Sequence, residues 1–167
     1  LLREALAGRK NSRGVSPLEV QAAVWQAHGM AFSGSQKEAL ALAEYAYGML
    51  DSLAGDARAG IENDLAYLHA MAPEPVRNPG RAMELAKRCV KNSPRESGSA
   101  NCLDTLAMAY YASGDLGMAL KTMEAALTAE AAHISAQGGA RSAVIQTHAA
   151  MIRSAMERKD SPRGNAD

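Results

Sequence analysis

Four histidines (His28, His69, His133 and His148) and two cysteines (Cys89 and Cys102) are the side chains of this sequence best suited to metal or nucleophile chemistry. A structural or catalytic zinc site needs such groups at short, recurrent spacings, so that several lone pairs converge on one ion. No histidine here falls into a recognisable ligand motif with a Cys, another His or a carboxylate. Two cysteines do not make a disulfide framework and lack metal-site spacing. Both are expected to be packed thiols, because a buried Cys behaves as a small hydrophobe. The sequence contains no nucleophile elbow, P-loop, dinucleotide fingerprint or HExxH helix. The "QGGA" at Gln137–Ala140 lacks the rest of a phosphate loop and is expected to end a helix. The residues therefore predict a protein that is not an enzyme, with no metal and no cofactor.

Charge offers a second kind of chemistry. Lys+Arg and Asp+Glu both total 18, so the formal net charge is zero and nothing at whole-chain level favours nucleic acid or a membrane surface. The distribution is uneven, however. Between Pro75 and Arg95 lie Arg77, Arg81, Lys87, Arg88, Lys91 and Arg95, with Glu84 as the lone acid. Arg81, Lys87, Arg88 and Lys91 offer a candidate docking face for an acidic partner. The plainer alternative is a solvated convex face. No aromatic residues are interleaved there, which argues against single-stranded nucleic acid.

The elements that must position these groups are helical. Hydrophobic residues make up 47% of the chain but aromatics only 4%, and Ala alone occupies 35 positions. Ala is the strongest helix former, so an all-α core of closely packed helices is expected. "SPLE" (Ser16–Glu19) and "SQKE" (Ser35–Glu38) read as capping boxes, and Asn78-Pro79 and Gly114-Asp115 as further helix starts. Helices are placed at about 1–8, 17–32, 36–51, 57–72, 80–92, 99–113, 116–135 and 140–158, each end uncertain by roughly 2–4 residues. No apolar run approaches the length of a transmembrane helix. The chain starts at Leu1 without a signal-peptide pattern. A soluble cytoplasmic or periplasmic protein, or a piece of a longer one, is expected.

The small residues repeat. Ala27, Gly34, Ala39, Ala43 and Ala46 recur as Ala107, Gly114, Ala119, Met123 and Ala126 at identical spacings. A middle copy carries Ala66, then Ala82, Ala86 and Cys89, with four extra residues that fit the proline-rich loop "PEPVRNPG". Three helix–turn–helix units follow, at roughly 20–52, 58–94 and 100–131. Residues 140–158 form a covering helix that completes a single domain over 1–160, and residues 161–167 are read as a disordered tail. Such a unit cannot bury its apolar face alone, so neighbours must stack.

The third unit, with Leu103, Leu106, Ala107, Tyr110, Gly114, Asp115, Ala119, Met123 and Ala126, resembles the tetratricopeptide repeat family. Leu103 stands where that family favours Trp, and Ala131 where it favours Pro. The resemblance implies a short right-handed α-solenoid whose first helices line a concave groove. It projects Val24, His28 and Ala31, then Asn63, Tyr67 and Ala70, then Asp104, Met108 and Tyr111 into that groove. Each set runs i, i+4, i+7 along one helix face. The carboxamide-and-lysine clamp of members that bind chaperone tails is replaced by Val24, Asn63 and Asp104.

The implied function is a non-catalytic interaction module that holds a peptide or protein partner in the groove. The partner-facing residues would be Val24, His28, Asn63, Tyr67, Asp104, Met108 and Tyr111. Two alternatives stay open: an assembly segment that stacks or self-associates through its repeat ends, and an accessory domain of a multidomain enzyme.

Overall fold

The computed structural model describes residues 15–93 and 98–160. Among them the chain forms seven α-helices and no strand: α1 (Pro17–Ser33), α2 (Gln36–Met49), α3 (Gly55–Met71), α4 (Pro79–Asn92), α5 (Gly98–Ala112), α6 (Leu116–Gln137) and α7 (Ala143–Asp160). A 3₁₀ turn at Leu50–Ser52 follows α2. The expected helix at 1–8 and the tail at 161–167 lie outside the described residues, as does Arg95. No helix among the described residues is long and apolar enough to cross a membrane.

The helices pack as neighbouring pairs, α1 with α2, α3 with α4 and α5 with α6. The first helix of each pair also touches the first helix of the next, α1 on α3 and α3 on α5, and α5 in turn touches α7. The repeated small residues explain the close approach. Ala27, Ala39, Ala43, Ala46, Ala66, Ala82, Ala86, Cys89, Ala107, Ala119, Met123 and Ala126 are all at most 1% exposed. Large residues, among them Leu42, Leu65, Leu68 and Leu85, fill the space around them. The core divides into two clusters, one over α1–α4 with Leu106 and Ala109 of α5 and one over α5–α7, with Met71 and Tyr110 packed against both.

The turns of the first and third pairs are built alike. Gly34 and Gly114 take left-handed φ values of 100° and 83°, a conformation without cost only for Gly. The next residue's N–H reaches back into the helix in each case, Ser35 to the Met30 carbonyl and Asp115 to the Tyr110 carbonyl. These are orphan carbonyls that a helix end must satisfy. The middle pair lacks the Gly and turns through Ala72–Asn78 instead. That loop is pinned by the Asn78 N–H donating to the His69 carbonyl and by fully buried Val76.

Two local expectations need correction. Neither Ser16 nor Ser35 makes a side-chain cap hydrogen bond, so the capping boxes do not form. Asn78 and Asp115 do cap, accepting from the N–H groups of Arg81 and Met118 at 3.0 Å. Second, Cys89 and Cys102 are not packed thiols but a disulfide joining α4 to α5, with Cα atoms 5.6 Å apart. That separation lies in the ordinary range for such bridges. Sequence spacing alone gave no sign of it. It arises because the last turn of α4 and the first turn of α5 pack together.

Candidate functional site

The face shared by the first helices carries a connected set of polar side chains that reach across the fold. On α1, Gln21, Trp25 and His28 follow one another at i, i+4 and i+7, so they share a stripe. All three converge on Asp64 of α3. The Gln21 amide and the Trp25 indole donate to the Asp64 carboxylate at 2.7 and 3.3 Å, and His28 Nε2 lies 3.0 Å from the Asp64 main-chain carbonyl. A carbonyl only accepts, so Nε2 carries the proton of His28.

One turn further along α3, Tyr67 stands between two imidazoles. Its ring stacks on His28, with centroids 6.1 Å apart, and tilts against His148 of α7 at 5.5 Å. The Tyr67 hydroxyl lies 3.2 Å from His148 Nε2, and His148 Nδ1 lies 2.9 Å from both carboxylate oxygens of Asp104 on α5. The carboxylate again fixes the tautomer: Nδ1 donates to Asp104, and Nε2 accepts from the phenol. His148 and Asp104 are buried, at 6% and 5% exposure. A chain of hydrogen bonds thus runs from α3 through α7 to α5.

An Asp–His–Tyr chain has the connectivity of a nucleophile with its base and orienting acid. Burial, with a further contribution from the Asp104 charge, pushes the Tyr67 phenol above its ordinary pKa. It therefore holds its proton as a hydrogen-bond donor, and the arrangement fastens three helices together.

Above this chain opens a cavity of about 280 Å³. His28, Asn63, Asp64 and Tyr67 line one side, and Asn101, Asp104, Thr105 and His148 the other. Ser142, Val144 and Ile145 close the end at α7. Its lining contains two carboxylates and no Lys or Arg. A second cavity of about 290 Å³ shares Asn101, Ser142 and Ile145 with it and extends over Glu130, His133 and the glycines Gly138 and Gly139. The Glu130 carboxylate accepts from the Ser142 N–H at 2.6 Å and so fixes the segment leading into α7. No group of three or more His, Cys, Asp or Glu side chains among the described residues could hold a metal ion.

Of the residues assigned to the groove, the structure brings His28, Asn63, Tyr67 and Asp104 to one cavity. It does not place Val24 or Met108 there. Both are 0% exposed and sit among the core side chains, because each first helix is buried against its pair mate and its neighbour together. Tyr111 is half-buried against the α5–α7 cluster. Asp104 lines the wall, but His148 already occupies its carboxylate. Asp64, Asn101, Thr105 and Ser142 were missed altogether. Asp64 could have been found, since the repeat register puts it opposite Trp25; His148 could not, since α7 lies outside that register.

Two of the basic side chains, Arg81 and Arg88, are ion-paired within the chain. Arg81 pairs with Glu44 and lies over the Tyr47 ring at 4.4 Å. Arg88 reaches Glu62 at 2.8 Å, Glu84 at 3.5 Å and Asp51 at 3.8 Å. Lys87 sits above the Tyr110 ring at 5.9 Å. Glu62 is fully buried, which is tolerable because Arg58 also meets it at 3.0 Å. Among the four residues of the candidate docking face, Lys87 and Lys91 are the exposed ones.

Comparison with protein-family models, with curated proteins and with solved structures returns no match for this chain.

Proposed function

We propose that the protein is a non-catalytic binding module, a short right-handed α-solenoid of three tetratricopeptide-like units closed by α7. A peptide segment of a protein partner would lie in the groove along α1, α3, α5 and α7. The observation that carries this reading is the shared cavity. Side chains from four helices far apart in sequence converge on one opening, whose floor is set by rigid contacts among His28, Tyr67, His148 and Asp104. Polar groups held in fixed positions within a concave opening are what specific recognition requires. The lining also supports a reading of the partner's chemistry. With Asp64 and Asp104 in the wall, Glu130 next door and no cation, the groove favours a segment bearing Lys or Arg. The disulfide between Cys89 and Cys102 suits an oxidising compartment.

A display library of random peptides panned against the protein, followed by calorimetric titration of the enriched sequences, tests the proposal. Enriched peptides should carry basic residues and bind more weakly as salt rises. Asn63→Lys and Val144→Lys place a cation in the wall and at its exposed rim, without touching the Asp104–His148 pair. Each should weaken binding at least about tenfold, or about 1.4 kcal/mol. Absence of enrichment, or affinity in both variants unchanged from that of the parent chain, would reject the groove as the binding site.

A further inference from the structure

Among the described residues, the three most exposed large apolar side chains lie on α1, in a stripe that borders the groove and shares Trp25 with it. Leu18, Trp25 and Phe32 are 79%, 64% and 59% exposed. With exposed Ala22 and Gly29 between them they run i, i+4, i+7, i+11, i+14, a single stripe along the helix. Glu19 and His28 are the only ionisable side chains of α1. A surface helix facing water on that side would carry charge there, and isolated large apolar residues need no explanation where a continuous stripe does.

The repeat register shows what this stripe corresponds to. Ala22 is equivalent to Ile61 of α3 and Cys102 of α5, and Gly29 is equivalent to Leu68 and Ala109. All four equivalents are buried, none more than 4% exposed. Cys102 is covalently tied to α4, in the preceding pair. At these two positions the face exposed on α1 is the face that α3 and α5 bury, whereas the equivalents of Trp25, Asp64 and Thr105, line the cavity.

We propose that a second copy of this chain covers that face, with α1 packing antiparallel on its counterpart about a two-fold axis at Trp25. Two observations select this occupant. Leu18 and Phe32 lie seven residues either side of Trp25, and Trp25 is the midpoint of Pro17–Ser33. An antiparallel two-fold pairing therefore sets Leu18 against Phe32 of the other copy, twice, and Trp25 against itself. Among the described residues the other end is a poor match for head-to-tail stacking, because α7 turns Thr147, Arg153, Glu157, Arg158 and Lys159 to solvent and Val144 is its one exposed large apolar side chain. A self-complementary contact closes on itself, whereas head-to-tail contacts extend without limit.

Trp25 is the single tryptophan of the chain, so its emission reports directly on this surface. Light scattering on a size-exclusion column across a concentration series should show a mass approaching twice 17.6 kDa. Trp25 emission should shift to the blue over the same range. Leu18→Cys and Phe32→Cys variants, mixed and oxidised, should form a disulfide-linked dimer with each other and far less with themselves. Trp25→Glu should leave the circular dichroism spectrum intact and yield monomer at every concentration. A monomeric mass throughout with red, unshifted emission would overturn the proposal. So would a monomer with constant blue emission, which would mean that other residues of the same chain cover the stripe. Self-linking of Leu18→Cys, or mass growing without limit, would overturn the antiparallel two-fold arrangement.

Discussion

The two ends of the helix array solve the same problem in opposite ways. At the α7 end, the last helix pair is covered. Ile145, Ala149 and Ile152 are buried against α5 and α6, and His148 reaches between Asp104 and Tyr67. The outer side of α7 is charged. At the α1 end the first helix keeps an apolar stripe in the open, centred on Trp25. Repeat arrays need their terminal faces made compatible with water. One end does so within the chain, and the other is proposed to do so by association. The difference teaches that a helix inside the array and a helix at its edge can share a register and still have different tasks.

The comparison can be broken most forcefully at His148. Replacing it with Ala takes the imidazole N–H away from buried Asp104 and removes the acceptor of the Tyr67 hydroxyl. Loss of one member of a buried pair costs about 3–5 kcal/mol, and urea unfolding should show it. If the cost were below about 1 kcal/mol, α7 would be held by its apolar face alone.

A matched pair of truncations comes next. Ile152→Ala in the covered end should destabilise by about 3 kcal/mol, because the side chain is fully buried. Leu18→Ala at the open end, measured at a concentration where the chain is monomeric, should stay within about 0.5 kcal/mol. Equal losses would mean that the stripe on α1 is already covered within one chain.

The smallest effect sharpens the contrast by pH. His69 lies between Leu68 and Ala70 of the α1–α4 cluster, with Nδ1 donating to the Val76 carbonyl at 2.8 Å. Burial lowers its pKa, outweighing the opposing pull of that hydrogen bond. The unfolded chain therefore binds this proton more readily than the folded one. Stability is full above the ordinary histidine value of about 6.5 and declines as the pH falls below it. Unfolding midpoints across that range should drop, and the drop should be shallower in His69→Gln.

Much of the fold was legible because its signals are local. Pro17, Gly34, Asn78-Pro79 and Gly114-Asp115 mark helix ends by fixing or freeing backbone angles, and the recurrent Ala spacing marks the pair interfaces. The groove was half legible. The i, i+4, i+7 rule put His28, Tyr67 and Asp104 on one side, but it cannot say how far each helix rotates. Rotation is set by packing on two neighbours, and it turned Val24 and Met108 inward. Contacts between distant elements were beyond reach. Nothing near Cys89 in the sequence says that Cys102 will meet it, and nothing near His148 names Asp104.

That disulfide has a consequence for how the chain comes apart. Cys89 and Cys102 bracket the short connection between the second and third helix pairs. A protease that cuts after Arg95 would open the peptide backbone without parting the two pieces, which would remain one molecule until a reductant reached the sulfurs. Cleavage and separation become distinct events, each under a different chemical control.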